Sequence, residues 1–479
     1  MNRSFDIDLD YGSYTVLRAK PDSLYEIGHK VAPYLIENLI DIVEEIEALN
    51  VCHSQNIRNY VVEMLTRKSF SITDPVDNHR LEVGSTYIFD DFQTIFFFFG
   101  QVSRIGIVAS DLAAGFPLST IILFDAKIII HLSDSFWGLG ERHFKSLADH
   151  GDGTIYERSA DCDICLVTGD PNFAHHAWNE LSSLQEIANQ GFDRTTSLVV
   201  VHEPLGPVND ILGSQFHVLR KLAKAQTPEV NRLGVLAFSS TGTRIDRCLA
   251  EKITIFANAH LSPFAAEVKR QAQERPGRTL WISVRTRNRT ISAQKDVLAK
   301  LIRDYLRHGD DRMVVIDGHS LPFDHDSDAH YIQDINNNIA HDDMIEADHI
   351  VAAVKAALPD ARIVQFVGRR IHESIAVGRH ASLYFCHHGT VQHKLGWFSD
   401  VPGLVHCNRD ILEILPAHWV QQQSEVAALP TYLPIDLIAE AVQDHEMGEL
   451  QNHLHHNNYH IEKLDEISNI LLNFSKQVE

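Results

Sequence analysis

The chain has 479 residues, of which 44% are hydrophobic and 22% are charged. This size predicts two or three domains with buried cores, and the composition excludes a disordered or fibrous chain. Asp and Glu (64) outnumber Lys and Arg (42), which gives a formal net charge of −22. That field repels nucleic acid polymers and anionic bilayers, so any phosphate site must be a local concentration of positive charge.

The cysteines and the N-terminal residues indicate a cytoplasmic protein. The chain starts without the apolar segment of a signal peptide, and its apolar stretches at 95–100 and 121–130 are too short to span a membrane. Cys162 and Cys165 have the spacing of one zinc-binding pair, but no second pair lies nearby. We therefore expect free thiols in a reducing compartment. The six cysteines are Cys52, Cys162, Cys165, Cys248, Cys386 and Cys407.

The first half of the chain changes character along its length. Apolar spacing predicts helices from Pro21 to Leu49, and apolar runs broken by glycines predict strands or hairpins from Tyr87 to Ile130. A strand-helix alternation then begins near Cys162, which favours a parallel sheet covered by helices. Its predicted elements are strands from Ile164 to Thr168, Ser197 to Val201 and Leu233 to Phe238, and a helix from about Phe173 to Asn189.

A second cycle of alternation follows residue 278. The predicted strands run from Thr279 to Val284, Met313 to Ile316, Ile363 to Val367 and Leu383 to Cys386. Helices are predicted from Ser292, as the cap, to Arg307, near Ile350 to Leu358, and in the tail from Pro434 to Phe474. The segment from His319 to Asp343 is predicted to be a polar loop. We expect solvated histidines in the runs Asp324 to Asp328 and His453 to His456.

These patterns predict an α/β chain with two Rossmann-like domains facing a cleft, extra N-terminal helices and a C-terminal helical tail. The predicted domains are residues 1–265, residues 266–430 and the helical segment 431–479.

Three arginines at every second position form the strongest local signal. Arg285, Arg287 and Arg289 follow the predicted strand that ends at Val284. Planar guanidinium donors at the end of a parallel strand suit a diphosphate, whose charge they would neutralise without a metal. An ordinary solvated basic loop remains the alternative.

Two further segments also follow predicted strands. In the first, His388, Gly389 and Thr390 offer a close backbone approach and a side chain for phosphate or sugar hydroxyls. The second contributes cations and a carboxylate that could accept from a hydroxyl pair. Its candidate residues are Arg369, Arg370, Glu373 and Ser374. A turn-capping histidine and an ordinary charged helix start are the respective alternatives.

The helix that starts near Phe173 carries a candidate general base. Helical spacing places His175 beside Asn179 and His176 beside Glu180. A histidine backed by a carboxylate could deprotonate an acceptor hydroxyl, although histidines that only pack or are solvated are more common.

The sequence lacks several motifs that are typical of P-loop kinases, NAD-dependent enzymes and metal-dependent transferases. It contains neither a phosphate-binding Gly-X-X-X-X-Gly-Lys-[Ser/Thr] loop nor an evident Gly-X-Gly-X-X-Gly fingerprint. No well-placed Asp-X-Asp follows a strand of the first half. We therefore expect no metal ligands and no cofactor other than a nucleotide sugar as co-substrate.

The helix around His175 and His176, the strand end with Arg285 and Arg287, and the His388-Gly389 turn occur in a suggestive order. The arrangement, across about residues 160–410, resembles the glycosyltransferase family that includes plant xylosyltransferases and the extracellular O-GlcNAc transferase. The resemblance implies a GT-B fold, no metal requirement and inversion at the anomeric carbon.

We therefore expect a hexosyl- or pentosyltransferase that moves a sugar from a nucleotide-sugar donor to a glycan, lipid-linked or protein acceptor, with a role such as polysaccharide biosynthesis. In this interpretation residues 1–265 form the acceptor side and residues 266–430 bind the nucleotide sugar. No nucleic acid partner and no membrane span are expected, and a homo-oligomer is left open. The alternatives are a sugar-nucleotide epimerase or phosphorylase of similar architecture, and an inactive carbohydrate-binding scaffold.

Overall fold

The computed structural model describes residues 4–19, 34–54, 60–101, 103–109, 118–132, 139–151, 154–157, 163–327, 330–414, 417–441 and 457–478. The chain divides into two compact units. Unit 1 comprises Met1–Asp170, His175–His202 and Gly213–Thr243, and unit 2 comprises Pro171–Ala174, Glu203–Leu212 and Arg244–Glu479.

The N-terminal part of unit 1 is built on a mainly antiparallel sheet, as the predicted strands or hairpins between Tyr87 and Ile130 indicated. The described strands are β1 (Ser4–Asp6), β2 (Thr15–Arg18), β3 (Ser71–Thr73), β4 (Arg80–Ile88), β5 (Thr94–Phe99), β6 (Arg104–Ala109), β7 (Leu118–Leu123), β8 (Ile128–His131) and β9 (Thr154–Tyr156). Seven of these form one sheet in the order β2-β8-β7-β6-β5-β4-β3, and β1 pairs with β9.

Three helices accompany this sheet: α1 (Tyr34–Ser54), α2 (Tyr60–Arg67) and α3 (Glu141–Gly151). The predicted helical start is therefore observed from Tyr34 onward, whereas 20–33 lie outside the described residues. A short 3-10 helix also occurs at Tyr11–Ser13.

The remainder of unit 1 contains a parallel sheet. Its strands are β10 (Ile164–Thr168), β11 (Ser197–Val200), β12 (His217–Lys221) and β13 (Leu236–Ser239), in the order β12-β11-β10-β13. The chain after β10 is helical through α4 (Phe173–His175), a π-helical segment at His176–Leu181 and α5 (Ser182–Asn189). A 3-10 helix at Lys224–Leu233 precedes β13.

Unit 2 contains a sheet of six parallel strands. They are β14 (Thr279–Ser283), β15 (Met313–Asp317), β16 (Ile363–Gln365), β17 (Leu383–His387), β18 (Gly403–His406) and β19 (Thr431–Tyr432). Their spatial order is β16-β15-β14-β17-β18-β19, which is the 3-2-1-4-5-6 order of a Rossmann fold. The prediction of an α/β chain with Rossmann-like parallel sheets is thus confirmed for the described residues.

Helices cover both faces of this sheet because its strands bury side chains in both directions. Leu280 and Ile282 of β14 pack into one core, and Trp281, between them, packs into another. The helices of unit 2 are α6 (Val208–Leu212), α7 (Arg247–Ala259), α8 (Pro263–Gln273), α9 (Gln294–Arg307), α10 (His330–Lys355), α11 (Ile371–Gly378), α12 (Thr390–Gly396), α13 (Arg409–Glu413), α14 (Ala417–Gln423) and α15 (Leu464–Val478), with 3-10 helices at His325–Ser327 and Ile435–Leu437.

The predicted helical tail is wrong in its first part. Residues Ile438–Glu440 (β20) and Tyr459–Ile461 (β21) pair as antiparallel strands, and only α15 is helical beyond them. The strand β21 is stabilised by backbone hydrogen bonds to the loop after β14. These partners are distant in sequence, so the local periodicity of the tail does not indicate them. The histidines at 453–456 lie outside the described residues.

Two predictions on the helices of unit 2 are also wrong. Ser292 does not cap α9: its N–H donates to the carbonyl of Tyr459, and Ala293 takes a left-handed conformation before the helix begins. The polar loop predicted up to Asp343 is helical from His330, because Ile335 and Ile339, one helical turn apart, extend the apolar spacing of α10 into this segment.

Candidate functional site

A cavity of about 340 Å³ lies in unit 2 at the carboxyl ends of three neighbouring strands. Arg285 and Arg287 follow β14, Gly318 follows β15, and Thr390 follows β17. The order β15-β14-β17 makes this the point where the strand order reverses, which is where open α/β sheets bind ligands. Its volume lies within the range of small-molecule sites. The polar side chains that line it are Asn172, Arg285, Arg287, His319, Ser320, Asn336, Thr390 and Lys394.

Apolar side chains also line this cavity. They come from the segment around Phe173, from α10, from the starts of α11 and α12, and from the loops that contain Pro204 and Pro322. A cavity lined by both cationic and apolar side chains suits a ligand that combines an anionic group with a less polar moiety. These apolar lining residues are Pro171, Phe173, Pro204, Pro322, Ile335, Ile339, Ile371 and Val391.

Arg285 is held in place by its own loop. Its guanidinium donates to the carbonyl and to the side-chain oxygen of Asn288, both at 2.6 Å, and its backbone N–H donates to Gln294 at 3.0 Å. Burial lowers the pKa of Arg285, and the neighbouring charges of Arg289 and Arg287 lower it further. Its positive charge is therefore poorly compensated, a situation that a bound anion would relieve.

The other two arginines of the loop differ in exposure. Arg287 lines the cavity and is exposed, while Arg289 is largely buried, has φ 58° and has no hydrogen-bond partner for Nε among the described residues. Burial lowers the pKa of Arg289 as well. Within the described part of the chain, none of the three arginines forms an ion pair with a carboxylate.

The sequence prediction missed Lys394, which is almost fully buried at the cavity wall. Its ammonium donates to Asp317 Oδ2 (2.7 Å), the carbonyl of Gly318 (2.6 Å) and Ser320 Oγ (2.7 Å). Asp317 is also buried, and burial raises the pKa of its carboxyl group against the lowering effect of Lys394. This pair fixes the turn after β15. A sequence signal existed: Lys394 follows Thr390 by one helical turn and shares its helix face.

Asp343 is a second missed residue, and it connects the loops after β14 and β15. One carboxylate oxygen accepts from the N–H (3.0 Å) and hydroxyl (2.6 Å) of Thr286, and the other accepts from the N–H of His319 (2.8 Å). His319 contacts Asn336 at 3.1 Å. Burial lowers the pKa of His319 to about 3, with Lys394 and Arg287 adding to the effect, so its ring is neutral at pH 7.

The three residues of the His388-Gly389-Thr390 turn differ in their relation to the cavity. Thr390 lines it, whereas His388 Nδ1 bonds to the hydroxyl of Tyr432 at 2.7 Å. Gly389 has φ 102°, and a Cβ there would lie 3.3 Å from Nη1 of Arg289. A side chain at this position would thus be strained and would crowd the arginine.

Arg369 and Arg370, which follow β16, do not line the cavity. Arg369 is exposed and stacks on Phe264, with 4.1 Å between the guanidinium carbon and the ring centre. Arg370 donates to the carbonyl of Pro322 at 2.9 Å and pairs with Asp326 at 2.6 Å.

Glu373 and Ser374 are also engaged within the protein. The carboxylate of Glu373 accepts from the N–H groups of Ser262 (2.9 Å) and Arg370 (3.2 Å), which are the N-cap residues of α8 and α11. Ser374 is buried and bonds to Ser320, which does line the cavity.

His176 and Glu180 lie in the π-helical segment of unit 1, and His175 directly precedes that segment. His176 is fully buried, its Nδ1 is 2.6 Å from Glu180 Oε2, and its Nε2 has no partner among the described residues. Glu180 also accepts from the N–H groups of Gly169 (2.7 Å) and Asp170 (3.1 Å). His175 is less buried and contacts Asn179 at 3.1 Å. π-helical segments occur frequently at functional sites.

The predictions on metal ligands and solvated histidines can be compared with the described residues. No group of three or more His, Cys, Asp or Glu side chains that could hold a metal ion occurs there. Cys162 and Asp328 lie outside these residues. His325 is not solvated as predicted: it is buried and contacts Asn337 at 3.1 Å. Over the described part of the chain, no helix has the length and apolarity needed to cross a membrane.

The sequence matches no protein-family model and no curated protein. Among solved structures, the chain is similar to a glycosyl transferase family 9 protein from Veillonella parvula, with a TM-score of 0.30 and 10% sequence identity. The match covers 58% of this chain and 87% of that chain. At this TM-score the likeness carries no conclusion about the activity of this chain.

Proposed function

We propose that the protein is a glycosyltransferase whose nucleotide-sugar donor binds in the cavity of unit 2, with its diphosphate against Arg285 and Arg287. One observation carries the proposal: two arginines without a carboxylate partner among the described residues line a cavity at the strand-order reversal of a Rossmann sheet. In a chain of net charge −22, such a concentration of uncompensated positive charge is best explained by an anionic ligand.

The chemistry requires the bond between the anomeric carbon and the diphosphate to break. Its electron pair goes to the leaving phosphate oxygen, and the arginines stabilise the charge that develops there. The acceptor hydroxyl forms the new bond to the anomeric carbon and loses its proton to a base. The products are a glycosylated acceptor and a nucleoside diphosphate, with inversion if displacement occurs in one step. In this proposal the arginines replace a metal ion.

His176 is the proposed base. If its Nδ1–H donates to the ionised Glu180, the Nε2 atom carries a lone pair that can accept a proton. The N–H groups of Gly169 and Asp170 hold the carboxylate of Glu180 in place beside the ring of His176. His175, next to it, is the alternative. The family that includes plant xylosyltransferases and the extracellular O-GlcNAc transferase remains the proposed relative, with a glycan, lipid-linked or protein acceptor.

The test is an assay of sugar release and transfer from UDP-, GDP- and CMP-sugars, with and without EDTA. We expect one donor class to be turned over, with activity unaffected by EDTA. Arg285→Ala/Arg287→Ala should abolish transfer. Arg369→Ala is the matched control, because this arginine also follows a strand of the same sheet but stacks on Phe264, and it should remain active.

Other outcomes would contradict the proposal. Interconversion of a nucleotide sugar without an acceptor indicates an epimerase, and phosphate-dependent cleavage indicates a phosphorylase. Carbohydrate binding without turnover of any donor indicates an inactive scaffold. Transfer that persists in the double variant would remove the arginines from the mechanism.

A further inference from the structure

The C-terminal strand β21 lies against the segment that follows the diphosphate-binding arginines. We define the arginine loop as residues 285–292. The N–H of Tyr459 donates to the carbonyl of Thr290 (3.1 Å), and the N–H of Ser292 donates to the carbonyl of Tyr459 (2.8 Å). The side-chain oxygen of Asn458 accepts from the N–H of Thr290 at 2.9 Å. Three hydrogen bonds therefore join the arginine loop to Tyr459 of β21 and to Asn458, the residue before it.

β21 is itself firmly attached to the sheet of unit 2. Tyr459 is fully buried, and its hydroxyl lies 2.6 Å from Nδ1 of His406, the last residue of β18. The backbone of β21 pairs with β20. The following helix α15 is connected to α9 through Ser468 and Asp304, at 2.7 Å. The strand can therefore act as a fixed support for a loop that belongs to no sheet.

The arginine loop needs such support because its backbone is strained. Arg289 and Ala293, which flank the segment bonded to β21, both have left-handed conformations, with φ of 58° and 53°. Non-glycine residues keep such conformations only when surrounding contacts fix them. Residues 290–292 are held by the hydrogen bonds from Asn458 and Tyr459 and by the burial of Ile291 in the core of unit 2.

We propose that Asn458 is a positioning residue for the donor site: its side chain holds Thr290, and through it the arginine loop, in the conformation that presents Arg285 and Arg287 to a diphosphate. The expected effect of Asn458 on diphosphate binding rests on the proposed function. Its structural part, the restraint of the loop by Asn458, stands independently of any ligand.

The test compares Asn458→Ala, Asn458→Asp and His460→Ala in the full chain. Asn458→Asp keeps an acceptor oxygen for Thr290. His460→Ala is the matched control, an exposed residue of β21 two positions after Asn458. Two readouts are taken: amide hydrogen exchange of residues 285–292 without ligand, and calorimetric titration with inorganic pyrophosphate.

We expect Asn458→Ala to speed exchange within 285–292 alone and to weaken pyrophosphate binding by about two- to tenfold, the range for loss of one net hydrogen bond. Asn458→Asp and His460→Ala should resemble the wild type in both readouts. Unchanged exchange in Asn458→Ala, or a change spread over unit 2, overturns the restraint. Faster exchange with unchanged affinity overturns the positioning role. If the wild type does not bind pyrophosphate, the proposed function and the binding consequence fall together, whereas exchange still decides the restraint.

Discussion

Replacing Lys394 with methionine should destabilise unit 2 strongly. The substitution keeps the length of the side chain but removes the ammonium that bonds to Asp317, Gly318 and Ser320. Asp317, which has no accessible surface, would then be left as an unpaired buried carboxylate. Removal of one partner from a buried ion pair costs about 3–5 kcal/mol. That is a large part of the total stability of a typical domain.

The effect should depend on pH in a defined direction. Lys394 lowers the pKa of Asp317, so its removal raises that pKa further above the unfolded value. Between the wild-type and variant pKa values, the folded variant binds a proton that the unfolded chain does not bind. Its stability therefore falls as pH rises through this window. The deficit of Lys394→Met relative to the wild type should be smaller at low pH than at pH 8.

Urea unfolding, with hydrogen exchange of β15 and β17 peptides to identify the transition of unit 2, measures this deficit. Lys394→Met/Asp317→Asn, which also removes the buried charge, should recover much of it. Arg270→Met, which breaks an exposed ion pair with Glu267, should leave the transition unchanged. A Lys394→Met deficit that is absent, or that is independent of pH and not reduced in the double variant, would refute the reasoning.

Two other predictions concern residues outside the cavity. Glu373→Ala should lower the free energy of unfolding by about 1–3 kcal/mol, because two N-cap N–H groups lose their acceptor. The affinity for nucleotide sugars should stay unchanged. A loss of affinity without a loss of stability would instead assign Glu373 to the ligand site. Iodoacetamide at pH 8 should modify the exposed Cys248 of the folded protein but not the buried Cys165 or Cys386, because burial raises the pKa of the Cys165 and Cys386 thiols to about 12. Equal labelling of the three cysteines, measured by mass spectrometry, would contradict this prediction.

The sequence predicted those parts of the fold in which apolar runs coincide with buried parallel strands. The observed β10 has the predicted bounds, and β14, β15 and β17 differ by one residue at their ends. Such strands are buried on both faces, so their apolar runs are continuous. The C-terminal pairing of β21 with the arginine loop depends on partners more than 160 residues apart, which no local pattern encodes.

The residues of the candidate site could be predicted only where they follow a strand that the sequence reveals. Arg285, Arg287 and Thr390 could be found because each directly follows a strand whose position the sequence reveals. Glu373 has the same local context, yet its carboxylate accepts from Ser262, 111 residues earlier. Lys394 was missed because its partners belong to the turn after β15, which only the strand order brings beside α12.

The central claim, that uncompensated arginines hold a diphosphate, is tested most directly by calorimetric titration of the full chain with UDP, GDP and CDP in EDTA. The wild type should bind at least one of them, with affinity that falls as salt concentration rises, and Arg285→Ala/Arg287→Ala should bind none while Arg369→Ala binds like the wild type. Equal affinity in the wild type and the double variant, or no binding of any nucleoside diphosphate by the wild type, would contradict the claim.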